Sequence, residues 1–204
     1  MSTVVAVKKN GFIAIAADTL SSMGSLKLSA SYQTNAGKIL QIGGSFVGLT
    51  GYAVHQQVLE HAFRSAGEPP AFSNVPEIFN LLLVLHQRLR QEYFLNPRGD
   101  EHDPYESTQM NMLIANQYGI FGVGSLRTVT EYGRFWASGS GTEYALGAAH
   151  ALYERPGDAR NIAEAAVRAA IDFDSGSGAP VESHVMRLAP SLAPAESAEL
   201  LLQV

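Results

Sequence analysis

The alternation of hydrophobic and polar positions at the start of the chain predicts a β-hairpin. Within the first eighteen residues, two apolar and largely β-branched runs flank Asn10-Gly11. This dipeptide supplies both positive φ angles of a type I′ turn, the turn that joins two strands most tightly. In the register set by that turn, Ser2 and Thr3 lie beside Asp18 at the open end of the hairpin.

The rest of the pattern falls into blocks of strands and blocks of helices. Strands are predicted at 38–42, 46–51, 110–115, 118–123, 128–132, 135–137 and 181–188. Helices are predicted at 52–66, 76–94, 142–154 and 158–173. Residues 19–25 are small and hydroxyl-rich and are predicted to form a loop.

This order of elements indicates the fold class. Runs of strands followed by runs of helices are typical of antiparallel sheets with segregated helices. Two such halves predict an α+β fold, a four-layer αββα sandwich of two antiparallel sheets flanked by helices. Residues 1–188 form the predicted domain, and residues 189–204 form a C-terminal extension with a short predicted helix at 195–202, which either packs on a neighbouring subunit or frays.

Composition narrows the functional classes. The chain has 204 residues, 46% hydrophobic and 16% charged, as in an ordinary globular domain. A net charge of −5 with scattered Lys and Arg disfavours nucleic-acid binding, and no apolar run approaches the ~20 residues of a membrane helix. The absence of cysteine excludes a disulfide framework, a thiolate nucleophile and a Cys-bound zinc site. With no export signal at the N-terminus, the expected location is the cytoplasm.

Ser2 is the first candidate for chemistry. Removal of the initiator Met would leave a hydroxyl and a free α-amine on this one residue. With an ordinary pKa of about 8, the amine can accept the proton of the hydroxyl and so activate it as a nucleophile. The alternative is that Ser2 and Thr3 only begin an edge strand.

Lys38 is the second candidate, because it opens a strand that is otherwise apolar. A lysine at such a position either extends its ammonium group to solvent or is buried against a carboxylate. If it is buried, Asp18 is the expected partner.

Two other polar stretches suggest no cofactor. The acid and histidine residues of the 96–104 loop lack metal-ligand spacing and are expected to be solvated. The loop Ser138-Gly139-Ser140-Gly141 precedes a predicted helix but is followed by neither a Walker lysine nor a third glycine at dinucleotide-binding spacing. We therefore expect neither a metal nor a cofactor.

Five separated features together resemble one family, the proteasome β-subunits and HslV-type peptidases of the N-terminal nucleophile hydrolases, which include bacterial proteasome homologues. The resemblance covers roughly residues 2–186. It is carried by Ser2-Thr3, Asp18, Lys38 with its apolar strand, Thr50-Gly51, and Gly139-Ser140-Gly141 with Asp172-Phe173-Asp174-Ser175-Gly176.

The resemblance implies the main catalytic roles. In that family the nucleophile precedes the aspartate by sixteen positions, which identifies Ser2 rather than Thr3. Its own α-amine would be the general base. Lys38, paired with Asp18, would lower the pKa of the hydroxyl, and the N–H of Gly51 would stabilise the oxyanion.

Three further residues have supporting roles by the same resemblance. Ser140 would hydrogen-bond near the nucleophile, and Asp172 with Ser175 would support the α-amine. Each also has a purely structural interpretation, since Ser140 can cap the following helix and Asp172 can cap a turn.

The resemblance also implies how substrates bind and how subunits assemble. Ser22 and Gly51 would hold an extended peptide as an added strand, and Leu49 with Ala53 would form an apolar pocket for the P1 side chain. The implied protein is an endopeptidase in two stacked homo-oligomeric rings of six or seven subunits, twelve or fourteen in all, with an ATP-dependent unfoldase as a further partner. The alternatives are a non-proteolytic ring subunit and a small-molecule amidase of the same nucleophile class.

Overall fold

The computed structural model describes residues 2–190, which form two stacked β-sheets with a pair of helices on each outer face. The strands are β1 (Thr3–Lys9), β2 (Phe12–Asp18), β3 (Ser21–Met23), β4 (Leu26–Leu28), β5 (Ile39–Ile42), β6 (Ser45–Thr50), β7 (Asn111–Ala115), β8 (Ile120–Val123), β9 (Val129–Tyr132), β10 (Phe135–Gly139) and β11 (Val181–Arg187). The helices are α1 (Val54–Arg64), α2 (Val75–Glu92), α3 (Thr142–Tyr153) and α4 (Ala159–Phe173). The predicted helix at 195–202 lies outside the described residues.

Both large sheets are antiparallel. The first has the strand order β10-β1-β2-β11, and the second has the order β5-β6-β7-β8-β9. The predicted first hairpin is confirmed, because Lys9 pairs with Phe12 across the turn. Asn10 and Gly11 have φ angles of 52° and 78°, the two positive values that a type I′ turn requires.

The first sheet is covered on both faces, which explains its nearly continuous apolar sequence. Val4 and Ala6 of β1 pack toward the second sheet, in a core shared with Leu113. Val5 and Val7 point the other way, toward α3 and α4. Because successive side chains of a strand point to opposite faces, β1 contributes to two separate cores.

The two helical layers are packed with side chains of very different size. Between the first sheet and its helices the buried helical residues are mainly alanines, namely Ala145, Ala149, Ala159, Ala163, Ala166 and Ala170. Between the second sheet and its helices they are mainly large, namely Leu59, Ile78, Leu82, Leu85 and Leu89. The four-layer αββα sandwich predicted from the sequence is confirmed.

One predicted loop is wrong. Within residues 19–25, Ser21–Met23 form β3, which pairs with β4 in a separate two-stranded ribbon. The turn contains Gly24 with φ 59°. The ribbon is mostly exposed, so it lacks the apolar alternation by which a half-buried strand is recognised.

Within the part of the chain that the structure describes, none of the helices combines the length and apolar character needed to cross a membrane. The same residues contain no group of three or more His, Asp or Glu side chains arranged to hold a metal ion.

Candidate active site

Asp18, the last residue of β2, lies at the centre of a buried polar cluster at the open end of the first hairpin. Asp18 is 0% exposed, so the donors of its hydrogen bonds must be groups of the protein. Oδ1 accepts hydrogen bonds from the Lys38 ammonium group (2.7 Å) and the Thr3 N–H (2.8 Å). Oδ2 accepts from the N–H groups of Leu20 (3.1 Å) and Gly178 (2.9 Å). Four donors therefore fix the orientation of this carboxylate.

Lys38 lies immediately before β5 and reaches from the second sheet to Asp18 in the first. Its side chain is only 10% exposed. Burial lowers the pKa of Lys38 below its ordinary value, and the negative charges of Asp18, Glu182 and Asp174 oppose that shift. The buried ion pair expected from the sequence is therefore formed.

Ser2 is buried and is held through its backbone by the end of β10. The Ser140 N–H donates a hydrogen bond to the Ser2 carbonyl oxygen at 2.9 Å. Gly139 pairs with Thr3 and has φ 108°, and a Cβ built on Gly139 would lie 1.8 Å from the Ser2 carbonyl oxygen. The start of the chain can lie against β10 only because residue 139 has no side chain.

Asp174 joins Ser140 and Ser177 in a network beside the start of the chain. Its Oδ2 accepts hydrogen bonds from the hydroxyls of Ser140 and Ser177, both at 2.7 Å. Since the one proton of the Ser177 hydroxyl is used there, Thr3 Oγ1 must be the donor in its 2.7 Å contact with Ser177 Oγ. Burial acts to raise the pKa of Asp174, but the two hydroxyls and the Gly176 N–H outweigh it, and the pKa lies below its ordinary value.

Asp172 and Ser175 do not lie where the resemblance led us to expect. Asp172 is exposed in the last turn of α4, and Ser175 is exposed in the loop that follows. Helix α4 continues to Phe173, after which Asp174 adopts extended backbone angles (φ −94°, ψ 117°). The network beside the chain start is therefore built two residues later, by Asp174 and Ser177. The assignment to Asp172 and Ser175 is corrected accordingly.

A cleft of 340 Å³ opens beside Ser2 and Lys38. The residues expected from the sequence to bind substrate all line it, namely Ser22, Leu49, Gly51 and Ala53. Gly51 has φ 122°, and a Cβ built on it would approach its neighbours no closer than 3.5 Å. The backbone angle, rather than a lack of space, thus favours glycine at this position.

Several polar side chains that line the same cleft were not predicted from the sequence. These are Gln33, Asn35, Gln56, Gln57 and Glu60. The Glu60 carboxylate accepts a hydrogen bond from Arg64 at 2.6 Å, one turn further along α1. The cleft therefore combines apolar contacts from Leu49 and Ala53 with several amide groups and one paired carboxylate.

Comparison with known proteins gave the following similarities. A scan against protein-family models found no match, and a search of curated proteins found none. Among solved structures, the bacterial proteasome homologue BPH of Thiobacillus denitrificans in complex with epoxomicin is 46% identical to this chain. The match covers 92% of this chain and 100% of the BPH chain, with a TM-score of 0.87. A second structure of BPH is also 46% identical, and the match covers 92% of this chain and 99% of the BPH chain, with a TM-score of 0.88. HslV from Trypanosoma brucei, at 20% identity, covers 91% and 99% with a TM-score of 0.68, a likeness of fold alone.

Proposed function

Since this chain belongs to the proteasome and HslV type of peptidase family, we propose that it is an endopeptidase whose nucleophile is the hydroxyl of Ser2. The observation that carries this proposal is the buried ion pair of Lys38 and Asp18, whose lysine lines the same cleft as Ser2. A buried ammonium group is costly unless it is paired. An ammonium group next to a hydroxyl favours the alkoxide form of that hydroxyl, and this activates the hydroxyl as a nucleophile.

In the proposed mechanism, release of Met1 leaves Ser2 with a free α-amine. The amine accepts the hydroxyl proton while Oγ bonds to the scissile carbonyl carbon. Collapse of the tetrahedral intermediate breaks the C–N bond, and the ammonium group returns the proton to the leaving amine. A water molecule, deprotonated by the same amine, then hydrolyses the ester and restores Ser2.

Other groups of the site assist these steps. The positive charge of Lys38 lowers the pKa of the hydroxyl, and Asp18 keeps the ammonium group oriented. The N–H of Gly51 donates a hydrogen bond to the oxyanion, a contact whose loss costs ~3 kcal/mol. The network of Ser140 and Asp174 orients the α-amine. A serine nucleophile lacks the methyl group that restricts the rotamer of threonine, so we expect slower turnover than with threonine at this position.

Covalent labelling tests the nucleophile. Epoxomicin, which is bound in one BPH structure, is a peptide epoxyketone with two electrophilic groups. A residue that carries both a hydroxyl and a free amine can react with both of them. We expect one adduct per subunit, mapped to Ser2, and none in Ser2→Ala. An adduct at Thr3 would show that the nucleophile is one residue later. Retention of Met1 in the intact mass of the active protein would contradict the proposed base.

The proposed assembly is two stacked homo-oligomeric rings. Native mass spectrometry of the wild type should give a complex of twelve or fourteen subunits, as the family resemblance implies. A ring that neither cleaves peptides nor reacts with epoxomicin would favour the non-proteolytic subunit. A monomer that cleaves small amides but not peptides would favour the amidase.

Asp174→Asn is expected to lower kcat/KM for a fluorogenic peptide by about tenfold or more, because charge-assisted hydrogen bonds contribute ~1.5–3 kcal/mol each. Ser177→Ala should lower it in the same direction. Asp172→Asn and Ser175→Ala are the matched controls, two residues earlier and exposed, and should leave kcat/KM unchanged. A larger loss of kcat/KM in Asp172→Asn and Ser175→Ala than in Asp174→Asn and Ser177→Ala would assign the supporting role to Asp172 and Ser175.

We also expect a preference for apolar P1 residues, since Leu49 and Ala53 line the cleft and the Glu60 carboxylate disfavours a second acid. Peptides with P1 Leu or Tyr should be cleaved faster than those with P1 Arg or Glu. Ala53→Glu should shift the preference toward P1 Arg, whereas Ala71→Glu, exposed and outside the cleft, should not. Faster cleavage after P1 Glu in the wild type would contradict this reading of the pocket.

A further inference from the structure

Glu182 connects the two sheets beside Lys38. It lies near the start of β11, an edge strand of the first sheet, and pairs with Ala17 of β2. Its carboxylate Oε1 accepts hydrogen bonds from the backbone N–H groups of Lys38 and of Ile39, the latter at 3.1 Å. One side chain of the first sheet therefore holds the point where the second sheet begins.

These contacts complete the restraint on the main chain of Lys38. Its carbonyl oxygen accepts a hydrogen bond from the Leu49 N–H at 3.1 Å, so the neighbouring strand holds one side of the residue. The Glu182 carboxylate accepts the hydrogen bond of the Lys38 N–H. Gly37 allows the close approach, because a Cβ built there would lie 2.8 Å from Glu182 Oε2. Without Glu182, the edge of β5 would present these N–H groups unpaired.

Charge also links Glu182 to Lys38. Burial raises the pKa of Glu182 above its ordinary value, although the N–H groups of Lys38 and Ile39 and the positive charge of Lys38 act to lower it. Around the Lys38 ammonium group the charged neighbours are Asp18, Glu182 and Asp174, all of which favour its protonated form. Glu182 therefore acts on both the position and the charge of Lys38.

We propose that Glu182 is a positioning residue for the peptidase reaction, fixing the Lys38 main chain so that its ammonium group meets Asp18 and faces the Ser2 hydroxyl. The proposal rests on the proposed function. It assigns to Glu182 no contact with substrate. The carboxylate acts through the backbone that it holds and through its negative charge.

Two variants separate these two effects. Glu182→Ala removes the acceptor and the charge, and should lower kcat by about tenfold to a hundredfold, since small misplacements of a catalytic group have effects of that size. Glu182→Gln keeps an acceptor oxygen and should retain kcat at neutral pH within about threefold of wild type. In both, loss of a negative charge lowers the pKa of Lys38, so the alkaline fall in kcat/KM should begin at lower pH. Glu131→Ala, an exposed glutamate on β9, is the control and should change none of these.

Amide exchange provides a readout that does not depend on activity. Hydrogen–deuterium exchange of the assembled protein should show faster exchange at Lys38 and Ile39 in Glu182→Ala than in wild type, with Glu182→Gln close to wild type. Unchanged exchange, or an unchanged alkaline limb with wild-type kcat in Glu182→Ala, would overturn the proposal. A wild-type protein that neither cleaves peptides nor labels with epoxomicin would instead overturn the proposed function, and the exchange data would still decide whether Glu182 holds Lys38.

Discussion

Lys38→Ala is expected to abolish peptide hydrolysis while leaving the assembly intact. In the proposed mechanism, the substitution removes the positive charge that favours the alkoxide of Ser2. Loss of one such electrostatic stabiliser costs ~3 kcal/mol, or about a hundredfold in rate, and often more. Hydrolysis of a fluorogenic peptide and epoxomicin labelling of Ser2 should both fall to the level of Ser2→Ala.

Folding must be measured together with activity in this variant. Breaking a buried ion pair can cost ~3–5 kcal/mol when the remaining charge has no other partner. Asp18, however, keeps its N–H donors from Thr3, Leu20 and Gly178, so we expect a folded protein with a lower midpoint of thermal unfolding. Lys27→Ala, exposed on β4, is the control and should behave as wild type. An assembled Lys38→Ala with near-wild-type turnover would refute the mechanism.

Gly139→Ala is expected to have the largest effect on folding. The new methyl group would lie 1.8 Å from the Ser2 carbonyl oxygen and 3.1 Å from Thr50 Cγ2, at a residue with φ 108°. Strain at a positive φ and overpacking each cost about 1–3 kcal/mol. Relief of the clash would displace Ser2, so hydrolysis should fall by about a hundredfold or more even in protein that folds.

The control for this substitution lies in the same part of the chain. Gly133, in the turn between β9 and β10, has open space around a built Cβ and no positive φ. Gly133→Ala should therefore keep wild-type activity and thermal stability. If Gly139→Ala unfolds at the wild-type temperature and labels normally with epoxomicin, the start of the chain is not held against β10 as the structure shows.

Local signals predicted the parts of the fold that depend on neighbouring residues. The Asn10-Gly11 turn fixes the register of the first hairpin, and that register alone brings Thr3 to Asp18. Lys38 in an apolar strand suggested a buried cation, and Asp18 is its partner. In each case one short stretch contains the physical cause.

The supporting network could not be located from sequence alone. The segment Asp172 to Ser177 contains two Asp-x-x-Ser spacings, one beginning at Asp172 and one at Asp174. Only the position where α4 ends distinguishes them, and helix ends are the least certain part of a prediction from sequence. The helix continues past Asp172, which therefore points to solvent, and the network is built from Asp174.

The contact of Glu182 with Lys38 could not be predicted from the sequence either. The two residues are 144 positions apart, in strands of different sheets, and a glutamate near the start of a strand has an ordinary appearance in the sequence. Its partners are backbone N–H groups, which every residue except proline has. Only the stacking of the two sheets makes this contact specific.

The different packing of the two helical layers has a consequence for how the protein tolerates change. An alanine side chain has no rotamers, so where the alanines of α3 and α4 meet the first sheet a larger residue must displace its neighbours or the backbone. The leucines and isoleucine of α1 and α2 can exchange volume with one another through alternative rotamers. Attempts to engineer this protein for greater thermal stability should therefore redesign the α1 and α2 layer. The alanine layer, which packs against β1, the strand that follows Ser2, should be left unchanged.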